Sequence, residues 1–116
     1  MLAAHHRLTD ASSYRATTRR GKRAARSTLV VHLCERLGSC PDDARFGFVV
    51  SRAVGNSVVR NRVKRRLRHA AAELIRSGAV MSSSDVVVRA LPASSSASYD
   101  VLAGELADAV ARAGSS

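Results

Sequence analysis

The sequence predicts an α+β domain with one central sheet covered by helices. Three short segments, 27–34, 45–51 and 85–91, are rich in β-branched or aromatic residues and have the length of strands. Two longer segments, 57–77 and 98–113, carry apolar residues at helical spacing. A chain of 116 residues suits a single domain, 1–116, with one modest core. The predicted order of elements is α-β-β-(β)-α-β-α.

The first predicted elements are a helix and two strands. Asp10 has the side chain of an N-cap and Gly21 can end a helix, so we expect a helix over 11–20. The strand STLVVHLC is followed by the loop ERLGSCPDDA, which is rich in turn formers. In 45–51 the apolar residues alternate with the others, which predicts a half-buried strand. The Gly-containing connection 51–56 is the place of the optional third strand.

The segment 57–77 predicts a long helix that ends at Gly78. Its apolar residues are Val59, Val63, Leu67, Ala70 and Leu74. At 100° per residue these positions form a stripe about 80° wide. Cations fill most of the remaining arc, so the helix is expected to pack by a narrow seam and to present a wide basic face.

The C-terminal part of the chain continues with a loop, a buried strand DVVVRAL, the loop LPASSSAS and a final amphipathic helix. We expect 1–7 and 114–116 to be flexible. The start MLAAHHRLTD lacks the apolar stretch of a signal peptide, and no run approaches transmembrane length. A cytoplasmic protein with reduced thiols is therefore expected. Two cysteines, Cys34 and Cys40, do not predict a zinc site.

The charge of the chain indicates a polyanionic partner. The formal net charge is +10, which points to nucleic acid or an anionic membrane surface. Within the predicted long helix, six cations lie in nine residues: Arg60, Arg62, Lys64, Arg65, Arg66 and Arg68. No acid lies between Asp43 and Glu73, so the helix lacks the pairs that usually support a solvated charged face. A second basic cluster, 15–26, lies upstream.

Among the nucleic-acid and membrane partners considered, RNA fits the charge pattern best. A leucine-zipper basic region would continue into heptads, whereas Gly78 ends this helix. A homeodomain is all-helical, and this chain has at least three predicted strands. A membrane-surface helix needs a broad apolar face with Trp, Phe or Leu, and this stripe is narrow. RNA is held largely through phosphates and shape, which matches an arginine-rich helix face.

The stretch GFVVSRAVGNSVVRNRVKRRLR, 47–68, resembles the signature of the bacterial ribonuclease P protein family, in which Arg-Asn-Arg opens a basic helix. Further similarity lies in Arg7-Leu8, in Arg20-Gly21-Lys22-Arg23 and in DVVVRALPAS, so that it covers nearly the whole chain. The resemblance implies a left-handed β-α-β crossover around the basic helix, against the usual right-handed rule. It also implies the following RNA-binding residues: Ser51, Arg52, Asn56, Arg60, Asn61, Arg62, Lys64, Arg65 and Arg68.

The same resemblance implies a cleft for single-stranded RNA. The family's first helix commonly carries two aromatics four residues apart, and here these positions hold Tyr14 and Thr18. A further aromatic common on the first strand is here His32. Because stacking on aromatics is worth about 1–3 kcal/mol per base, this cleft is expected to stack fewer bases than usual. Arg15 and Arg19 are expected to compensate with polar contacts.

The sequence offers no catalytic constellation for the polypeptide itself. The histidines His5, His6, His32 and His69 form no pattern with a carboxylate pair or a nucleophile. The resemblance implies an endoribonuclease in which the RNA subunit hydrolyses precursor tRNA with magnesium. The protein then holds the 5′ leader, binds no metal alone and has no obligate protein partner.

Two other classes remain as alternatives. The first is a structural RNA-binding protein, such as a small ribosomal protein or an RNA chaperone, which would be equally basic. The second is a nuclease acting alone, which the missing acid–base set disfavours.

Overall fold

The structure, a computed structural model, describes residues 7–8, 11–35, 44–80 and 84–115. The α+β class and the predicted order of elements are confirmed. Asp10, the expected N-cap, and most of the loop 35–44 lie outside the described residues. In chain order the elements are α1 (Ala11–Arg20), β1 (Lys22–Ala25), β2 (Leu29–Glu35), β3 (Arg45–Val49), α2 (Ser57–Ser77), β4 (Ser84–Ala90), a 3-10 turn (Pro92–Ser95) and α3 (Tyr99–Ser115).

The four strands form one mixed sheet in the order β1-β2-β4-β3. β1 pairs antiparallel with β2, and β2 pairs antiparallel with β4. β3 pairs parallel with β4, so the long helix α2 is the crossover between neighbouring parallel strands. The left-handedness of this crossover stays a prediction. Before α1 the chain runs beside β3, where the Leu8 N–H donates to the Phe46 carbonyl over 2.8 Å.

The optional strand lies elsewhere than expected. The connection 51–56 contains a turn, in which the Val54 N–H donates to the Ser51 carbonyl over 3.1 Å. The further strand is β1, with the sequence KRAA and one buried residue, Ala24. Such a sequence has no apolar alternation, and it becomes a strand because it pairs with β2 in register, Ala24 opposite Val31.

The core lies between one face of the sheet and the helices α2 and α3. Strand residues such as Val31, Val86 and Val88 point into it, because alternate residues of a strand share a face. Helix α3 supplies Leu102 and Leu106, both fully buried. Helix α1 packs on the opposite face of the sheet, against β2 and β4.

Helix α2 begins and ends where the sequence predicts. The Asn56 side chain accepts a hydrogen bond from the Val59 N–H over 3.0 Å, which satisfies one free donor of the first turn. Gly78 ends the helix with φ 75°, a left-handed conformation that glycine adopts without strain. The buried stripe is Val63, Leu67, Ala70, Ala71 and Leu74, and Val59 of the predicted stripe packs against it half-buried.

The first and last described residues take part in secondary structure. Arg7 forms a bridge with Phe46, and Gly114 and Ser115 are the last residues of α3. The flexibility expected for 1–7 and 114–116 stays a prediction.

Among the described helices, none is long and apolar enough to cross a membrane.

Candidate nucleic-acid interface

The cations of α2 lie on two opposite sides of its buried stripe. At 100° per residue, Arg60, Lys64 and Arg68 fall within about 80° of each other, and we call this side the cleft flank. Arg62 and Arg66 lie on the other side, which we call the loop flank. Arg60 and Arg62, neighbours in the Arg-Asn-Arg motif, therefore point about 200° apart. Arg65 and Asn61 lie between the flanks and are exposed.

Lys64 and Arg68 of the cleft flank form one wall of a cavity of about 360 Å³. The other walls are Tyr14 of α1, residues 7–8 and strand β3. The lining includes Arg7, Tyr14, Gly47, Phe48, Lys64 and Arg68. Aromatic rings and three cations, Arg7, Lys64 and Arg68, thus meet in one cleft, a combination that suits single-stranded nucleic acid.

Tyr14 lies directly against Gly47. A Cβ at position 47 would lie 2.3 Å from both Cζ and Oη of Tyr14, so any other residue there would displace the ring. The Tyr14 hydroxyl also hydrogen-bonds with the main chain of Phe48. Burial raises the pKa of Tyr14 above its ordinary value of 10.0, although this hydrogen bond and the charge of Arg68 act in the opposite direction. The ring is therefore a neutral phenol held in a fixed position.

The other two residues of the predicted cleft are placed differently. The Thr18 hydroxyl donates to the carbonyls of Tyr14 and Arg15 over 3.0 and 3.1 Å, so it bonds to its own helix. His32 stands in a cross-strand row with Val87 and Gly47. With strands about 4.8 Å apart, its backbone lies about 10 Å from Gly47. Neither residue lines the Tyr14 cavity, and their contact with RNA stays a prediction.

His32 occupies a basic environment on the α1 face of the sheet. Its pKa is lowered, first by burial and then by the charges of Arg23 and Arg89. Its Nδ1 is buried and has no hydrogen-bond partner among the described residues. On the cleft flank, Nε of Arg60 is likewise buried and has no hydrogen-bond partner among the described residues.

The connection before α2 holds three predicted RNA-binding residues. Ser51 and Arg52 are exposed there. Asn56 is also exposed, and its side-chain oxygen serves as the cap of α2. The RNA-binding role predicted for these three residues is not tested by the fold.

The loop flank is tied to the segment between β4 and α3. Arg62 Nη2 donates to the Ser95 carbonyl over 3.0 Å, and Arg66 Nη1 donates to the Ala97 carbonyl over 2.8 Å. Further along the helix, the His69 ring meets the ring of Tyr99. Neither Arg66 nor Tyr99 is among the RNA-binding residues that the sequence predicts. Helical spacing places Arg62, Arg66 and His69 on one side, but it does not identify the loop that they contact.

The described carboxylates are mostly engaged away from the cleft. Asp85 pairs with Arg45 over 2.9 Å, and Glu73 pairs with Arg76. Glu105 accepts hydrogen bonds from Ser27 and Thr28, and Asp108 lies between Arg26 and Arg112. No group of three or more His, Cys, Asp or Glu within the described ranges is arranged to hold a metal ion.

Fold and site together define a small, basic α+β protein of the nucleic-acid-binding class. The family model for Ribonuclease P matches residues 2–114. A relative from Nocardioides sp., described as a ribonuclease P protein component, is 52% identical over 98% of this chain and 96% of its own length. A relative of the same description from Mycobacteroides abscessus is 44% identical, covering 97% of this chain and 90% of its own. The chain belongs to the ribonuclease P protein family.

Solved structures support the fold. The RNase P protein of Staphylococcus aureus superposes with a TM-score of 0.76 at 22% identity, covering 90% of this chain and 91% of that one. At this identity the likeness speaks for the arrangement of helices and strands alone. It agrees with the four-stranded mixed sheet and the three helices described above.

Proposed function

We propose that this protein is the protein subunit of a bacterial ribonuclease P that works in the cytoplasm. In this role it binds the catalytic RNA subunit and the 5′ leader of precursor tRNA. It thereby supports endonucleolytic removal of the leader, which gives the mature 5′ end of the tRNA. The observation that carries the proposal is the cleft in which Tyr14, fixed against Gly47, lies beside Lys64 and Arg68.

The cleft suits a flexible single strand. An unpaired base can stack on the Tyr14 ring, and its phosphates can meet the cations of the cleft flank. A folded RNA, in contrast, offers dense and fixed phosphates, which suit arginine forks on a rigid helix. We assign the cleft to the leader. Asn61 and Arg65, between the two flanks, form what we call the outer side of α2, and we assign this side and the loop flank to the RNA subunit.

The chemistry of cleavage is assigned to the RNA subunit. Hydrolysis by the protein would need an acid–base pair or a metal centre. The described carboxylates Glu73, Asp85, Glu105 and Asp108 are held by arginines or hydroxyls, which supports placing the magnesium on the RNA. Magnesium therefore enters the proposal through the RNA subunit and the substrate.

Reconstitution tests the proposal. Purified protein freed of RNA is incubated with precursor tRNA over a range of magnesium concentrations, and no cleavage is expected. Addition of a matching bacterial ribonuclease P RNA should give cleavage at the mature 5′ end, at lower magnesium than that RNA requires alone. Specific cleavage by the RNA-free protein would overturn the division of labour. Failure of the protein to lower the magnesium requirement would overturn its role as a subunit.

A further inference from the structure

A second aromatic and basic cavity lies on the outer side and loop flank of α2. It has a volume of about 300 Å³ and is lined by Arg65, Arg66, His69 and Tyr99. The His69 and Tyr99 rings meet edge to face, with centroids 5.7 Å apart and planes at 77°. This geometry is favourable for an aromatic pair, and it fixes the orientation of the two ring planes relative to each other.

The cavity is built from fixed parts. Arg66 is half-buried, and its bond to the Ala97 carbonyl holds the guanidinium while the other N–H groups remain for a ligand. One turn earlier in α2, the Arg62 guanidinium likewise donates a hydrogen bond to the Ser95 carbonyl. The loop itself is braced by the Ser94 hydroxyl, which donates to the Leu91 carbonyl over 2.7 Å. Arg66 and this loop therefore have little conformational freedom to lose on binding, which favours affinity.

The charge around the rings remains positive. Glu73 and Asp100 lie near Tyr99 and raise its pKa after the effect of burial. Glu73 is paired with Arg76, so its charge is offset locally. The two cations of the lining, Arg65 and Arg66, outnumber the remaining acid, Asp100. Stacking rings beside two guanidinium groups match a nucleotide, with its base on the rings and its phosphate on the arginines.

We propose that this cavity binds an unpaired nucleotide of the RNA subunit. The proposal rests on the proposed function, because it assumes that the RNA subunit docks on α2. The leader is a less suitable source of this nucleotide, since the Tyr14 cavity lies on the other flank of a helix about 10 Å thick. A folded RNA displays unpaired bases in its loops and bulges, and one of these can enter the cavity while neighbouring phosphates contact α2.

The test is a titration of the protein with ribonuclease P RNA without substrate. Tyr99→Ala is expected to weaken binding about 5- to 150-fold, the effect of one lost stack. Tyr99→Phe keeps the ring and is expected to bind as the wild type does. Val101→Ala is the matched control, because Val101 is 45% exposed in the same turn of α3 and lies outside the cavity lining. It should leave the affinity unchanged.

Tyr99 also packs against the core, so a second variant keeps the proposal testable. His69 is exposed on α2, and His69→Ala is expected to weaken binding of the RNA subunit without lowering thermal stability. Wild-type affinity in a folded His69→Ala protein would overturn the site. A loss confined to leader-bearing precursor tRNA would overturn its assignment to the RNA subunit. If wild-type protein itself does not bind ribonuclease P RNA, the proposed function fails together with this site.

Discussion

At the scale of single residues, the contact between Tyr14 and Gly47 determines the shape of the cleft. The ring occupies the space that a side chain at position 47 would fill. Its hydroxyl is held by the main chain of Phe48. The stacking surface is thus set by a glycine on a strand as much as by the aromatic residue on the helix.

Tyr14→Ala is expected to weaken the affinity of the assembled enzyme for precursor tRNA by about 1–3 kcal/mol, the range for one lost stack. The affinity for tRNA without a leader and for the RNA subunit should hardly change. Tyr14→Phe keeps the ring and serves as the control. Equal losses with leader-bearing and leaderless substrates would mean that Tyr14 serves only the fold.

Gly47→Ala is expected to reproduce the loss of leader affinity although it removes no atom of the ring. The added Cβ would lie 2.3 Å from Tyr14, so the ring must leave its place. Gly104→Ala is the matched control, because a Cβ there meets nothing within 4 Å. Equilibrium binding to leader-bearing precursor tRNA measures both. Unchanged affinity in Gly47→Ala would show that the position of the ring is unimportant.

At the scale of elements, local chemistry decides what the sequence can predict. The bounds of α2 follow from Asn56, Gly78 and the apolar stripe, which are all local signals. Strand β1 could not be predicted in this way, because KRAA carries no strand pattern and depends on its partner β2. The hydrogen bond from the Thr28 hydroxyl to Glu105 joins residues 77 positions apart, so no local sequence pattern predicts it.

The Glu105 side chain joins α3 to the turn before β2, and we call its hydrogen bonds with Ser27 and Thr28 the clamp. Glu105 Oε1 accepts from the Thr28 hydroxyl over 2.6 Å and from its N–H over 2.9 Å, and Oε2 accepts from the Ser27 hydroxyl over 2.6 Å. Glu105→Gln keeps the shape and removes the charge, so it should lower the free energy of unfolding by about 1–3 kcal/mol. Denaturant unfolding measures this loss. Asp100→Asn, an exposed change in the same helix, is the control.

The clamp also gives the stability a pH dependence. The hydroxyls of Ser27 and Thr28 hold the pKa of Glu105 below its ordinary value of 4.5, so the unfolded chain binds the proton more tightly. The stabilisation is complete above pH 4.5 and is lost as the pH falls through the lowered pKa. Glu105→Gln should therefore flatten the acid side of the stability curve. A curve with the same slope as the wild type would contradict the role of the clamp.

At the scale of the whole molecule, the long helix separates two basic surfaces with aromatic rings that composition does not distinguish. The sequence identifies the cations of α2, and helical spacing divides them into flanks. It does not show that Lys64 faces Tyr14, or that Arg66 faces the loop after β4, because both relations depend on the packed sheet. Six of the predicted RNA-binding residues are thus found together on α2, while the surroundings of each of them come from tertiary structure.

The separation predicts two salt dependences. Replacing both Lys64 and Arg65 by Ala should flatten the slope of log K against log salt by about one unit for the RNA subunit, through Arg65, and by about one unit for the leader, through Lys64. Of the single variants, Arg65→Ala should act mainly on the RNA subunit, and Lys64→Ala mainly on the leader. Arg112→Ala removes the same charge from α3, where Arg112 pairs with Asp108, and should alter neither slope. An unchanged slope in the double variant would mean that these side chains face only water.

The strand at the wall of the cleft has a further consequence. β3, with the sequence RFGFV, is an edge strand, and an apolar edge is a template on which another chain can add. The chain's own residues cover it, since Leu8 bonds to the Phe46 carbonyl and Tyr14 to the main chain of Phe48. Lys22 and Arg23 protect the opposite edge with charge. The residues that shape the Tyr14 cleft therefore also cover a sheet edge that could otherwise add another chain, so changes that open the cleft should reduce solubility along with function.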